Sequence, residues 1–392
     1  MSHKKYLISF FLGVLILYSV KHLMFYIVDP LQIFHPPWVR GEYFIRDLRV
    51  QAAGIIRHAE FDSIIIGTSH AANFYPKDAE KLWGGRFVNL AADASFLSER
   101  ALILDFLFKH KKINNVIISM DGYAKIDEYS ASYPVGSYRY LYNDYAFDDI
   151  KVYGGNKYLS YLTCDSKVFP SLKEHDVCLQ LKPLDTLAEW ASDKSHSERF
   201  GGINNWFSAK NNWQIQEAFK TIVENADRVQ TSGVPQINET ELARQELEDQ
   251  ACFDQYVMRF IKEHPGVQFY LYYPPYSRLN YAMWAQTNPT YYARYLAQLR
   301  YAVKKTSGHK NVSVYGFDEL DFLDDIANYK DTIHYRPQLN VAMLEWMHGY
   351  KHRLNDRNID DYIKYINYKA KAYNFIFIGN EIKTYLNRTN EK

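Results

Sequence analysis

The residues in this chain whose types and spacing suit covalent chemistry are a serine on the turn leaving an apolar run and a distant Asp-x-x-His. Ile64-Ile65-Ile66 leads into Gly67-Thr68-Ser69-His70, and Asp331-Thr332-Ile333-His334-Tyr335 follows much later. A serine hydroxyl is a weak nucleophile until a base takes its proton, and imidazole, titrating near neutrality, is the side chain suited to that task. Ser69 is therefore the candidate nucleophile, His334 the base, and Asp331 the group that holds the imidazole tautomer. His70, next to Ser69, is a rival base, although adjacent side chains usually diverge. No Gly-x-Ser-x-Gly elbow surrounds Ser69, which separates the pattern from that of the α/β-hydrolases.

These residues need a scaffold, and the apolar periodicity supplies one. Phe61 to Gly67, Arg86 to Leu90, Asn115 to Met120, Val267 to Tyr273 and Val312 to Phe317 read as buried strands. Between them, helical spacing runs over Ser98 to Lys111, from an Asn238 or Thr240 cap to Glu263, and over Pro289 to Lys305; Pro337 opens another helix to about Arg353. Strands alternating with helices predict an α/β fold, a parallel sheet with helices on both faces. Residues 126–235 break this regularity and are rich in Tyr, Asn, Gly and Ser. They are expected to form a mostly helical insertion over the carboxyl ends of the strands, where α/β sheets place their sites. The tail, 355–392, is expected to be a peripheral helix with a loose end.

The start of the chain speaks to location. After His3-Lys4-Lys5, residues 6–28 are apolar apart from Ser9, Ser19, Lys21 and His22, and Asp29-Pro30 ends the run. With Lys21 snorkelling, this is long enough to cross a bilayer. No small-x-small cleavage site follows, so an uncleaved signal anchor is expected. Residues 1–5 would stay cytoplasmic by the positive-inside rule, with everything after the span, beginning with a linker and lead-in over 29–60, outside the cytoplasm. The alternative is an apolar helix packed on the domain.

Composition narrows the partners. Lys plus Arg number 46 against 45 Asp plus Glu, so there is no electrostatic footprint for nucleic acid. The chain holds 34 Tyr and 7 Trp. Such rings stack on sugars and hydrogen-bond them, or simply pack a core. Cys164 and Cys178 share one loop-like stretch and could close a disulfide in an oxidising compartment; two buried thiols are the equal alternative. No His and Cys spacing suggests a metal site, and no cofactor is expected.

The strand–Gly67-Thr68-Ser69 block, the Val-x-Val-Tyr-Gly-Phe strand and the closing Asp331-x-x-His334 resemble the SGNH (GDSL-like) hydrolase superfamily. Within it the chain is most similar to the membrane-anchored DltD-like and AlgX/AlgJ-like group that acylates envelope polymers. The resemblance implies a three-layer α/β/α, flavodoxin-like domain over 61–354. It implies acyl transfer through an acyl-serine, most simply O-acetylation of a surface polysaccharide at the extracytoplasmic side of the cytoplasmic membrane, with a multi-spanning acyltransferase as partner. A carbohydrate esterase of the same fold, and a scaffold that has lost catalysis, are the alternatives. In that family the oxyanion hole combines the nucleophile's N–H, a Gly N–H of the second block and an Asn of the third. Here the second block aligns with Asn89 to Ser95, so Ser69, Ala91 and Ala92 would supply N–H groups, with Asn73 as a further donor. The third block reads Ser119-Met120-Asp121-Gly122-Tyr123, with no Asn; an ionised Asp121 would oppose an oxyanion and must be protonated, turned away or replaced. Asp121, Tyr123, Tyr276, Arg278 and Tyr335 are the candidate substrate contacts.

Overall fold

A computed structural model describes residues 3–45, 47–123, 135–145, 147–164, 181–184 and 194–390. Among the described residues eight strands follow in chain order: β1 (Tyr43–Phe44), β2 (Ser63–Ile66), β3 (Phe87–Asn89), β4 (Asn115–Ser119), β5 (Lys182–Pro183), β6 (Gln268–Tyr273), β7 (Val312–Gly316) and β8 (Arg353–Leu354). β1 and β5 form a small antiparallel pair, and the other six make one sheet in the order β3-β2-β4-β6-β7-β8. Five of its strands are parallel, as their near-continuous apolar runs predict. Ile64, Ile65 and Ile66 are fully buried, each worth roughly 1.5–3 kcal/mol of transfer free energy.

β8 is antiparallel to β7 and lies where a helix was expected to continue. The helix from Pro337 stops at His348, and Tyr350 and His352 then take left-handed backbone angles, φ 55° and 58°, that turn the chain back. Neither residue type announces such a turn, since Gly and Asn are the usual occupants of that region.

The connections between parallel strands place helices on both faces of the sheet. Pro76–Trp83 packs against Pro337–His348 on one side, while Leu97–His110, Glu239–Phe253 and Pro289–Thr306 pack in series on the other. The strands register this alternation. Tyr270 of β6 accepts from Trp83 Nε1 at 2.7 Å on the first face, and Tyr273 bonds the Tyr123 hydroxyl at 2.9 Å on the second.

The chain crosses from β3, outside β2, to β4 on its other flank, so the strand order reverses between β2 and β4. Open α/β sheets bind ligands beyond the carboxyl ends of the strands at such a reversal. Gly67 and Ser69 leave β2 at that point.

The described parts of the insertion divide in two. Short 3-10 turns at Arg139–Tyr142 and Asp149–Tyr153 pack beside helices Leu48–His58 and Leu97–His110, with Tyr138 donating to Glu99 at 2.6 Å and Arg57 pairing with Asp149 at 2.6 Å. This half bonds Glu99 in the first turn of Leu97–His110 and Arg57 in the last turn of Leu48–His58. The second half contains the helix Trp213–Ser232, which packs along Phe375–Asn390. The tail is thus no loose end: Phe375 and Ile382 are fully buried, and a Cβ at Gly379 would come within 2.5 Å of Ala226.

Helix His3–Val28 is the one described helix long and apolar enough to cross a membrane, and its apolar window is unburied. Cys164 is buried at the end of Leu159–Thr163. Its suggested partner Cys178 lies outside the described residues.

Candidate active site

The site begins with Gly67. A Cβ there would meet Ser119 Oγ at 2.4 Å and Ala71 Cβ at 2.7 Å, so only glycine lets the end of β4 and the following turn close around the exit of β2. The Gly67 carbonyl accepts from Ala92 N at 2.9 Å and Ser95 Oγ at 3.0 Å, tying this exit to the loop after β3. Ser69 follows on a turn and is partly exposed between buried neighbours Thr68 and His70.

The loop after β7 approaches from the other side. His334 Nε2 lies 2.9 Å from Ser69 Oγ, and His334 Nδ1 lies 2.8 Å from Asp331 Oδ2. The Asp331 carboxylate also accepts from the backbone N–H groups of Ile333 and His334, at 3.0 and 2.9 Å, which curls the loop so that base and orienter face each other. Ser277, at the end of the double-proline turn, donates to the Thr332 carbonyl and braces the loop. A serine, a histidine and an aspartate thus form a continuous hydrogen-bonded chain.

Electrostatics suit the roles. Burial alone would raise the Asp331 carboxyl, but the facing His334 ring, with Lys330 behind it, holds it well below the usual carboxylate range. Burial pushes His334 below its ordinary 6.5, with Asp331 opposing the shift only in part, so the ring is a neutral base at pH 7. Asp331 stays ionised and faces the charge that His334 would acquire.

His70 is not aimed at Ser69. Its Nε2–H donates to the Ile333 carbonyl at 3.2 Å, and its ring stacks on His334 with centroids 4.9 Å apart. Its own carbonyl accepts from Asn340 Nδ2 at 3.0 Å. His70 therefore clamps the turn of Ser69 to the loop that carries His334.

The candidate oxyanion donors fare differently. The Ala91 N–H donates to Asn89 Oδ1 at 2.9 Å, and the Ala92 N–H is occupied by Gly67. Asn73 is 2% exposed and neither atom of its carboxamide has a partner. An unpaired buried amide costs about 1–3 kcal/mol, a penalty common at functional positions.

Of the candidate substrate contacts, Tyr276 is half-buried with its ring 5.0 Å from His70. The buried Tyr335 directs its hydroxyl to the His70 carbonyl at 3.4 Å. Tyr123 is engaged with Tyr273 on the opposite helical face. Arg278 is fully buried, pairing with Asp324 at 2.8 Å. Asp121 is turned away from any oxyanion: it accepts from Thr68 and Ser119, each at 2.6 Å, and from Arg100 at 3.2 Å. Burial works against its ionisation, yet the Arg100 charge keeps the carboxyl well below its ordinary range.

Two contributors went unrecognised in the sequence. Arg100 is 1% exposed and donates to the carbonyls of Ser95, Ser119 and Asp121, stitching the β3 and β4 exits together under Ser69. Its signal was a charge on the apolar stripe of Leu97, Ala101 and Leu104. His196 lies 2.8 Å from the buried Lys330 ammonium and joins the insertion to the loop that carries Asp331 and His334. Among the described residues no group of three or more His, Cys, Asp or Glu is arranged to hold a metal ion. The chain matches no protein-family profile and no curated protein sequence.

Proposed function

We propose that the protein is a serine-dependent acyltransferase that works outside the cytoplasm on a cell-surface polysaccharide or related envelope polymer. The observation that carries this reading is the chain Ser69 Oγ–His334 Nε2–Asp331 at 2.9 and 2.8 Å, at the reversal point of a parallel sheet. Ser69 attacks an acyl carbonyl as His334 takes its proton; the acyl–Oγ bond forms, and the leaving group departs with the proton returned by His334. A sugar hydroxyl, deprotonated by the same ring, then accepts the acyl group and frees Ser69. Water in that role would make the protein an esterase. The likeness to SGNH proteins favours an acetyl group and a multi-spanning acyltransferase as donor, and the apolar N-terminal helix supports a membrane-anchored, extracytoplasmic setting.

The occupied N–H groups of Ala91 and Ala92 favour a second reading, a scaffold of the same shape without catalysis. Incubating the full-length protein with an activated acetyl ester and an acetyl-free oligosaccharide separates the readings. A mass gain of one acetyl per sugar, lost in Ser69→Ala, supports the transferase; acetate release alone supports the esterase; neither product supports the scaffold.

A further inference from the structure

The junction between the N-terminal helix and the domain is rigid. Asp29 accepts from the N–H groups of Ile33, Phe34 and His35 and from the Tyr153 hydroxyl. Arg40 donates to the carbonyls of Val28, Asp29 and Pro30. Gly54 lets the strap lie against helix Leu48–His58, since a Cβ there would meet the Leu31 and Gln32 carbonyls at 2.3 and 2.4 Å. Phe25 is 1% exposed and stacks on Tyr153 at 4.5 Å. Residues 29–60, expected to be a linker and lead-in, begin as a locked strap.

Tyr6 to Val20 rises only about 22 Å as a helix, whereas the hydrocarbon core of a bilayer is about 30 Å thick. The missing length lies beyond Lys21, where the domain already packs against one side of the helix at Phe25. Lys21 is prepared for that depth: its ammonium donates to the Gly154 and Gly155 carbonyls at 3.1 and 3.0 Å and to Asn156 Oδ1. A loop of the domain offers acceptors to the ammonium.

Large apolar side chains are exposed on the strap and on the segment that holds Lys21, alongside the exposed cations Lys151 and Lys157. Tyr26 and Trp38 meet edge to face at 5.9 Å and are 47% and 55% exposed. On the segment that holds Lys21, Phe147 is 83% exposed, and Ile150 and Leu159 are also exposed. Residues three apart eclipse in a 3-10 helix, so Ile150 shares the side of Tyr153, which faces the N-terminal helix. Aromatic rings at the ends of a membrane span sit in the headgroup layer.

We propose that the domain is seated in the headgroup layer of a lipid bilayer through a collar of Tyr26, Trp38, Phe147, Ile150 and Leu159, rather than suspended above it on a tether. This rests on the reading of His3–Val28 as a membrane span. Trp38 makes it measurable. The full-length chain is placed in lipid nanodiscs of phosphatidylcholine, with or without bromine at carbons 6 and 7 of the acyl chains, and tryptophan emission is compared. The seat predicts bromine quenching that Trp38→Phe removes, that Trp213→Phe leaves in place, and that Phe147→Trp restores in the Trp38→Phe background. Chain that co-elutes with discs but shows no Trp38-dependent quenching and no gain from Phe147→Trp overturns the seat while the span stands. Discs carrying two copies with Trp38 shielded from bromine assign the collar to a chain–chain contact and also overturn it. Failure to associate with discs at all overturns seat and span together.

Discussion

Ser69 Oγ and His334 Nε2 lie 2.9 Å apart across 265 positions of sequence. The contact depends on two independently braced turns, one leaving β2 through Gly67 and one leaving β7 through the Asp331 carboxylate. Sheet order brings them to the same edge, and His70 locks one to the other through the Ile333 carbonyl.

The base should reveal itself in pH dependence. His334 must be neutral to take the Ser69 proton, and burial lowers its pKa from 6.5. Ester turnover, as kcat/KM, should therefore rise with pH to a midpoint below 6.5 and stay flat through neutrality. Asp331 raises that pKa, so Asp331→Asn should move the midpoint further down while cutting kcat by roughly 10³–10⁴-fold through the wrong tautomer. A midpoint above 7, or one unmoved by Asp331→Asn, would assign the base elsewhere.

Asn73 should separate activity from stability. Its buried carboxamide has no partner, so Asn73→Ala removes no hydrogen bond and should leave the melting temperature unchanged or slightly higher. If the amide donates to an oxyanion, the same substitution should lower kcat by about 10²–10³-fold with little change in KM. A destabilised protein with normal kcat would contradict both halves.

The Arg100–Asp121 pair should behave in the opposite way. Both groups are buried and each satisfies several partners of the other's loops. Removing the carboxylate with Asp121→Ala strands the guanidinium and should cost about 3–5 kcal/mol in denaturant unfolding. A loss under 1 kcal/mol would show that the carbonyls alone satisfy Arg100.

Much of this was legible in sequence and some was not. The Ile64–Ile66 run, the Val267 to Tyr273 run and the Asn238 cap announced their elements within a residue or two because burial on both faces and capping are local signals. Gly67-Thr68-Ser69 and Asp331-x-x-His334 stood out in the sequence because each is a compact local motif, the first of them directly after a strand. The engagement of Ala91 and Ala92, the diversion of Arg278 to Asp324 and the role of Arg100 were not, because each depends on which loops the sheet order brings together. The partners of the turns at Arg139–Tyr142 and Asp149–Tyr153 were not legible, because the Arg49 carbonyl and the Arg57 and Glu99 side chains lie on helices whose inward faces only packing defines.

Asp318 predicts a pH effect on folding separate from catalysis. Burial raises its carboxyl from 3.8 to about 6, although the Tyr295 and Tyr281 hydroxyls favour the ionised form. The folded state therefore holds this proton more tightly than the unfolded chain. Its contribution is fully present below about pH 4 and is lost as pH rises through about 6, amounting to about 3 kcal/mol. Between pH 4 and 7.5, wild type should lose about that much stability relative to Asp318→Asn. Parallel stability curves would contradict the buried-acid assignment.

The central claim is that Ser69 is an activated nucleophile, and a fluorophosphonate probe tests it most directly. The full-length protein at pH 7.5 should gain one adduct mass, mapped by peptide sequencing to Ser69, with labelling abolished in Ser69→Ala and slowed at least about 10²-fold in His334→Ala. Absence of labelling in the folded wild-type protein, or an adduct mapped to another serine, would contradict the account.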